Sequence, residues 1–233
     1  MPQPPLSEGK SDSLALWTPA WRALVFVLAA SSIWCLLAQF YGLCSMRTFT
    51  FHISIPALAV LSTLVLIDGR CGDRKFMRNI LIGAAAGLIA AVAYDVFRLP
   101  FVFSKEWGLA GIVPQMPLFK VFPRFGAMIL GQPFEQPAYS LAAQMVGWGY
   151  HFSNGITFGI MYAAAIGAGS RRHWAWAVLM AVGLELAMLY TPYPQMFSII
   201  VGATFVAVTL SAHLIFGVVL GLNTRRMCRR WAT

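Results

Sequence analysis

The stretch 76–99, FMRNILIGAAAGLIAAVAYDVFRL, decides the fold class. A helix needs about 20 mostly apolar residues to cross the hydrocarbon core of a bilayer, and this run supplies them. Its charged residues stand near its ends, with Arg78 at the start and Asp95 and Arg98 at the finish. Gly83 and Gly87 lie four apart in its middle, the spacing that lets two helix backbones approach. Lipid offers no partner for free backbone groups, so such a run must be a helix or part of a closed barrel. It is continuously apolar and does not alternate, which selects the helix.

Working outward, five further runs read the same way: 21–41, 51–67, 139–168, 174–190 and 197–222. The expected fold is an all-α integral membrane protein, a six-helix bundle in a single domain over 19–224. Composition agrees. Of the 233 residues 59% are hydrophobic and 11% charged, where an ordinary soluble domain has about 25% charged. The mean hydropathy is +0.70. A soluble enzyme, a disordered chain and a disulfide-stapled module are excluded.

The net charge of +9 is explained by topology. Lys10, Arg22, Arg70, Arg74, Lys75, Arg78, Arg171, Arg172, Arg225, Arg226, Arg229 and Arg230 fall on one side of the six runs, and Arg47, Arg98, Lys105, Lys120 and Arg124 on the other. The richer side is cytoplasmic by the positive-inside rule, which puts both termini there. A bacterial inner membrane is the expected location, with no nucleic-acid partner. The first run is longer than a signal-peptide core and no A-x-A site follows it, so it reads as a retained helix. Residues 1–18 read as a disordered tail and 225–233 as a basic one. Cys35, Cys44, Cys71 and Cys228 do not pair across the expected topology and read as free thiols. Trp107, Trp148 and Trp174 are candidate interface anchors.

The one long loop, 100–137 on the outer side, carries six prolines and excludes a long regular helix. Its apolar middle, 116–131, reads as a short surface-lying or re-entrant element. It is either a lid over an outward cavity or an interfacial anchor.

Functional information in a membrane core lies in its ionisable residues. Asp95 has Arg98 one turn on, and His151 has Asn154 at i+3. Glu185 sits in the fifth run and His213 in the sixth. Ala91-Val92-Ala93-Tyr94-Asp95 is echoed by Ala181-Val182-Gly183-Leu184-Glu185. His151, Gly155 and Gly159 are echoed by His213, Gly217 and Gly221. The two acid–histidine hairpins read as copies of one unit, as in transporters built from parallel repeats. Asp95, His151, Glu185 and His213 are then candidate ligands for zinc, iron or manganese. They are equally candidates for a proton- or ion-linked site with Arg98 and Asn154, or for local structural pairs. One depth problem stands against a compact site: on the expected spans His213 lies nearer the inner side than either acid. No nucleophile elbow, H-E-x-x-H or phosphate loop is present.

The segment from Gly83-Ala84-Ala85-Ala86-Gly87 to Tyr94-Asp95 and Arg98 resembles the YagU-like bacterial inner-membrane proteins and their relatives. The helix Ala212-His213-Leu214-Ile215-Phe216-Gly217 with Gly221 is similar to one near the end of some of them. The resemblance covers two helices of six; it implies a small polytopic membrane protein and no activity. The sequence therefore points first to a transporter or channel-like protein for an ion or small solute. An intramembrane metalloenzyme acting on a lipid or apolar substrate comes second. A non-catalytic accessory subunit of a larger membrane complex comes third, and beyond the lipid bilayer the expected partners are a second copy of the chain or a partner membrane subunit.

Overall fold

The computed structural model describes residues 15–167 and 173–231. The expected tail over 1–14, Arg171, Arg172 and Lys10 of the charge pattern, and the last two residues lie outside it. The described residues are helical, with no strand among them. Helix α1 (Pro19–Ala29) and α2 (Ser31–Phe40) meet at a 43° bend. A continuous helix follows, made of α3 (Met46–Phe49), a π-helical turn (Thr50–Ser54) and α4 (Ile55–Cys71). Then come α5 (Lys75–Val102), α6 (Val121–Leu130), α7 (Leu141–Ile166), α8 (Ala175–Leu189), the short α9 (Tyr193–Met196) and α10 (Ala203–Arg230).

Three of these helices are long and apolar enough to cross a membrane: Met46–Cys71, α5 and α10. The bent α1–α2 pair makes a fourth if it counts as one span. The other two expected runs differ for distinct reasons. Helix α7 has the length, with 26 residues, but Gln144, His151, Ser153 and Asn154 interrupt its apolar character. Helix α8 is apolar but has 15 residues, about 22 Å at 1.5 Å per residue, against a core of about 30 Å.

Helix α5 is the spine. It packs on α7 along one side and on α10 along another; α8 packs on α10 and α6 on α7. Small residues make these contacts close. A Cβ on Gly83 or Gly87 would strike the backbone of Gly159 or Gly155, and a Cβ on Gly217 or Gly221 the backbone of Val178 or Trp174. Gly83 and Gly87, expected to let two helices approach, are thus at helix–helix contacts, and so are the repeat glycines Gly155, Gly159, Gly217 and Gly221. The start of α5 is fixed from the preceding helix: buried Asp68 accepts from the Met77 N–H at 2.8 Å, satisfying one of the orphan donors of a helix N-terminus.

For the middle of the loop 100–137 the expectation is a short element, either surface-lying or re-entrant, and α6 is short. It is not surface-lying. Helix α6 is inserted into the bundle, with Phe122, Phe125, Ala127 and Ile129 buried. Gly126 and Gly147 let its backbone touch that of α7. Six prolines are accommodated because the helix is only 10 residues long and Pro123 falls in its first turn. Trp148 is drawn into the same aromatic cluster, 4.5 Å from the Phe122 ring between centroids; among the expected anchors Trp107 is 52% exposed. At the N-terminal side, packing begins before residue 19: Leu16 is buried and Trp17 meets Phe76 edge-on at 5.9 Å. At the other end α10 carries Arg225–Arg230 as helix.

Candidate functional site

Asp95 lies in the second half of α5 and is buried, as is Arg98 one turn later. The Arg98 Nη1 donates to Asp95 Oδ1 at 3.3 Å, and Nη2 to the Leu118 carbonyl at 2.7 Å. The guanidinium is stacked over Tyr94, with Phe119 and Phe122 beyond, at 4.6, 5.0 and 5.5 Å from the ring centroids. The second Asp95 oxygen meets His151 Nε2 at 2.8 Å. Phe122 from α6 stacks on the His151 ring at 4.2 Å. A buried carboxylate needs this degree of pairing to stay charged. Helix α6 therefore supplies both a carbonyl partner from its approach segment and two aromatic faces.

Glu185 on α8 is also buried, and its nearest partner is His213 on α10, Nδ1 to Oε2 at 3.5 Å. The same Nδ1 lies 2.9 Å from the Thr209 carbonyl. One ring N–H serves the nearer acceptor, so the carboxylate receives at most a weak contact. The expected depth problem disappears because residues 197–202 are not the start of α10. The helix begins at Ala203, which moves His213 toward its middle and level with Glu185. Tyr94 bridges the two pairs, 6.0 Å from the His151 ring and 5.0 Å from the His213 ring.

A cavity of about 170 Å³ opens between these groups. Its polar wall is Tyr94, Arg98, His151, Asn154, Glu185 and His213; the rest is aromatic and aliphatic. Asn154 Oδ1 and Arg98 Nε are buried without a hydrogen-bond partner. A larger apolar groove of about 600 Å³ runs between α7 and α8 and shares Phe158 and Leu184 with the cavity wall.

The sequence-predicted residues are thus brought together, but not as a metal shell. Asp95, His151, Glu185 and His213 divide into two pairs, and no group of three or more His, Cys, Asp or Glu among the described residues is placed to hold a metal ion. The physical reason is Arg98. Its fixed positive charge occupies one Asp95 oxygen and would repel a divalent cation there. The sequence reading missed Leu118, Phe119, Phe122 and Tyr193 as site residues. The spacing of Phe119, Phe122 and Phe125 was a usable signal: a three-residue repeat of large aromatics in a loop marks a buried helical face.

The cysteines are free: Cys35 is buried against Thr50 and the Met46 carbonyl, and Cys71 is exposed. Comparison with other proteins gives no further lead, since no protein-family model, no curated protein and no solved structure matches the chain.

Proposed function

We propose that this chain is a small membrane transporter or channel-like protein whose buried acid–histidine site handles a proton together with an ion or small solute. The observation that carries the reading is the cavity walled by Arg98, His151, Asn154, Glu185 and His213 inside helices that are otherwise apolar. Burying Arg98 and Glu185 and half-burying His151, Asn154 and His213 costs free energy that a merely structural bundle avoids. Glu185 is the proton-binding group, because Asp95 is held by Arg98 and His151 while Glu185 has one long contact. Asp95, Arg98 and Asn154 shape the site around it.

Six crossings by the runs named above, with both termini on the cytoplasmic side of a bacterial inner membrane, belong to this reading. The Arg22 guanidinium on the last carbonyls of α7 and the Arg78 contact to the Trp231 carbonyl support it, because they bring the basic start of α1 to the end of α7 and the basic start of α5 to the basic end of α10. The matching acid–histidine–glycine geometry of α5–α7 and α8–α10 supports two copies of one hairpin. The YagU-like resemblance supplies no activity and adds nothing to the choice. The metalloenzyme alternative loses its four-ligand shell, and the accessory-subunit alternative has no observation in its favour.

The test is flux in proteoliposomes loaded with a pH-sensitive dye. Small cations, anions and neutral solutes are offered singly, and a potential is applied alone. Proton movement with at least one of these, reduced at least tenfold in Glu185→Gln, is expected. No proton movement under any condition would overturn the reading.

A further inference from the structure

The cavity also carries information about what enters it. We infer that its occupant is a small organic ammonium ion, held by Glu185 and Asn154 and competing with the proton at Glu185. This inference rests on the site reading given above and adds the substrate class.

Charge balance is the first argument. Arg98 and Asp95 neutralise each other at 3.3 Å. Arg98 is further spent on the Leu118 carbonyl and on three aromatic faces. His151 takes the other Asp95 oxygen. Glu185, 8% exposed, is left as the carboxylate without a matching fixed cation. The groups that share the cavity wall with it are His213 from α10, Tyr94 and Arg98 from α5, His151 from α7 and Tyr193 from α9. Only a proton, on Glu185 or on His213, or a positive occupant completes its charge.

Hydrogen-bond valence is the second argument. Asn154 Oδ1 is a buried acceptor with no donor, and it stands in the same wall as Glu185. The nearest N–H to Glu185 is the His213 Nδ1 group that already serves Thr209. Glu185 and Asn154 Oδ1 are thus acceptors without a strong donor of their own, and an ammonium group with several N–H bonds supplies one to each. The unpaired Arg98 Nε–H is satisfied by a water or by an acceptor group on the occupant.

The third argument is the remaining wall. Tyr94, Phe122, Phe158 and Phe216 present aromatic surface, and aromatic faces attract organic cations. A bare metal ion has no use for such surface, and a volume of about 170 Å³ exceeds what one water needs.

The experiment is equilibrium binding to the full chain in detergent, read by calorimetry, with proton release followed in weak buffer. The probes are n-butylammonium, its uncharged counterpart 1-butanol, and tetramethylammonium, which has charge but no N–H. Butylammonium is expected to bind at least tenfold more tightly than either comparator and to release protons on binding. Glu185→Gln should weaken it at least tenfold, and Asn154→Leu at least threefold, with helicity and elution volume unchanged in both. Equal binding of 1-butanol, or unchanged affinity in a folded Glu185→Gln protein, overturns the ammonium assignment. Butylammonium binding without proton release overturns the competition at Glu185. No binding of butylammonium by wild type, alongside proton flux in proteoliposomes, overturns the ammonium assignment and leaves the proton-linked site standing.

Discussion

The α5–α7 and α8–α10 hairpins solve the same packing problem and treat their acids differently. In each, an acid on the first helix meets a histidine on the second. In each, two glycines four and eight residues after that histidine press on the first helix. Yet Asp95 has a guanidinium and an imidazole on its two oxygens, and Glu185 has one imidazole at 3.5 Å. The glycines also meet unlike surfaces. Gly155 and Gly159 face Gly87 and Gly83, glycine on glycine, whereas Gly217 and Gly221 face Val178 and Trp174. The first hairpin is built tightly and its charge is settled internally. The second leaves its charge open to the cavity. One hairpin thus serves as frame and the other as the working part.

The sharpest way to break this comparison is to wedge the frame. In Gly159→Leu the new side chain would overlap the Gly83 carbonyl and the Gly87 backbone, neither of which can move without its helix. Overpacking typically costs 1–3 kcal/mol where neighbours can yield, and here they cannot. We expect a loss of about 3 kcal/mol or more, seen as failure to recover monodisperse protein or as a sharply lowered Tm in detergent. Tolerance of leucine at 159 would show that α5 and α7 are not in backbone contact.

The next effect is electrostatic. Arg98→Met leaves Asp95 buried with His151 alone, and breaking a buried pair from one side costs about 3 kcal/mol or more. The double variant Asp95→Asn with Arg98→Met removes both charges and should recover part of that loss. Thermal unfolding of the two single variants and the double variant measures the coupling. Strict additivity would mean that the two side chains do not act as a pair.

Glu185→Gln is expected to change stability by no more than about 1 kcal/mol, since the carboxylate it removes accepts no strong hydrogen bond. An effect as large as that of Arg98→Met would erase the distinction between frame and working part. The smallest change has the opposite sign. Gly183 lies inside α8 with nothing within 4 Å of an added Cβ. Gly183→Ala should stabilise the helix by up to about 1 kcal/mol through reduced backbone freedom. Destabilisation there would place a neighbour against that face of α8.

How much of this was legible in the sequence varies by residue. Asp95 with Arg98 could be read directly, because partners at i+3 on one helix lie on the same face whatever the rest of the chain does. The packing glycines could be read because only a missing side chain lets backbones touch. The burial of helix α6 could not. Its prolines excluded only a long helix, and what buries the short one is the glycine contact with α7 and the packing of Phe122 and Phe125, neither of which is local. His213 was placed too deep because hydrophobicity does not mark where a helix begins: residues 197–202 are mostly apolar but form a turn and then an irregular segment before α10.

The sequence by itself determined that the chain is helical and apolar enough for a membrane, which residues are ionisable inside it, and where glycines permit close contact. These follow from composition and from spacing along single helices. Tertiary structure alone decided how the four acids and histidines divide. Arg98 claims Asp95 against the Leu118 carbonyl and the aromatic faces of Phe119 and Phe122, all from a distant loop, and Glu185 is left with His213. Partner choice among buried charges depends on distance in a low-dielectric interior, and distance between helices is written in the packing, not in the order of residues.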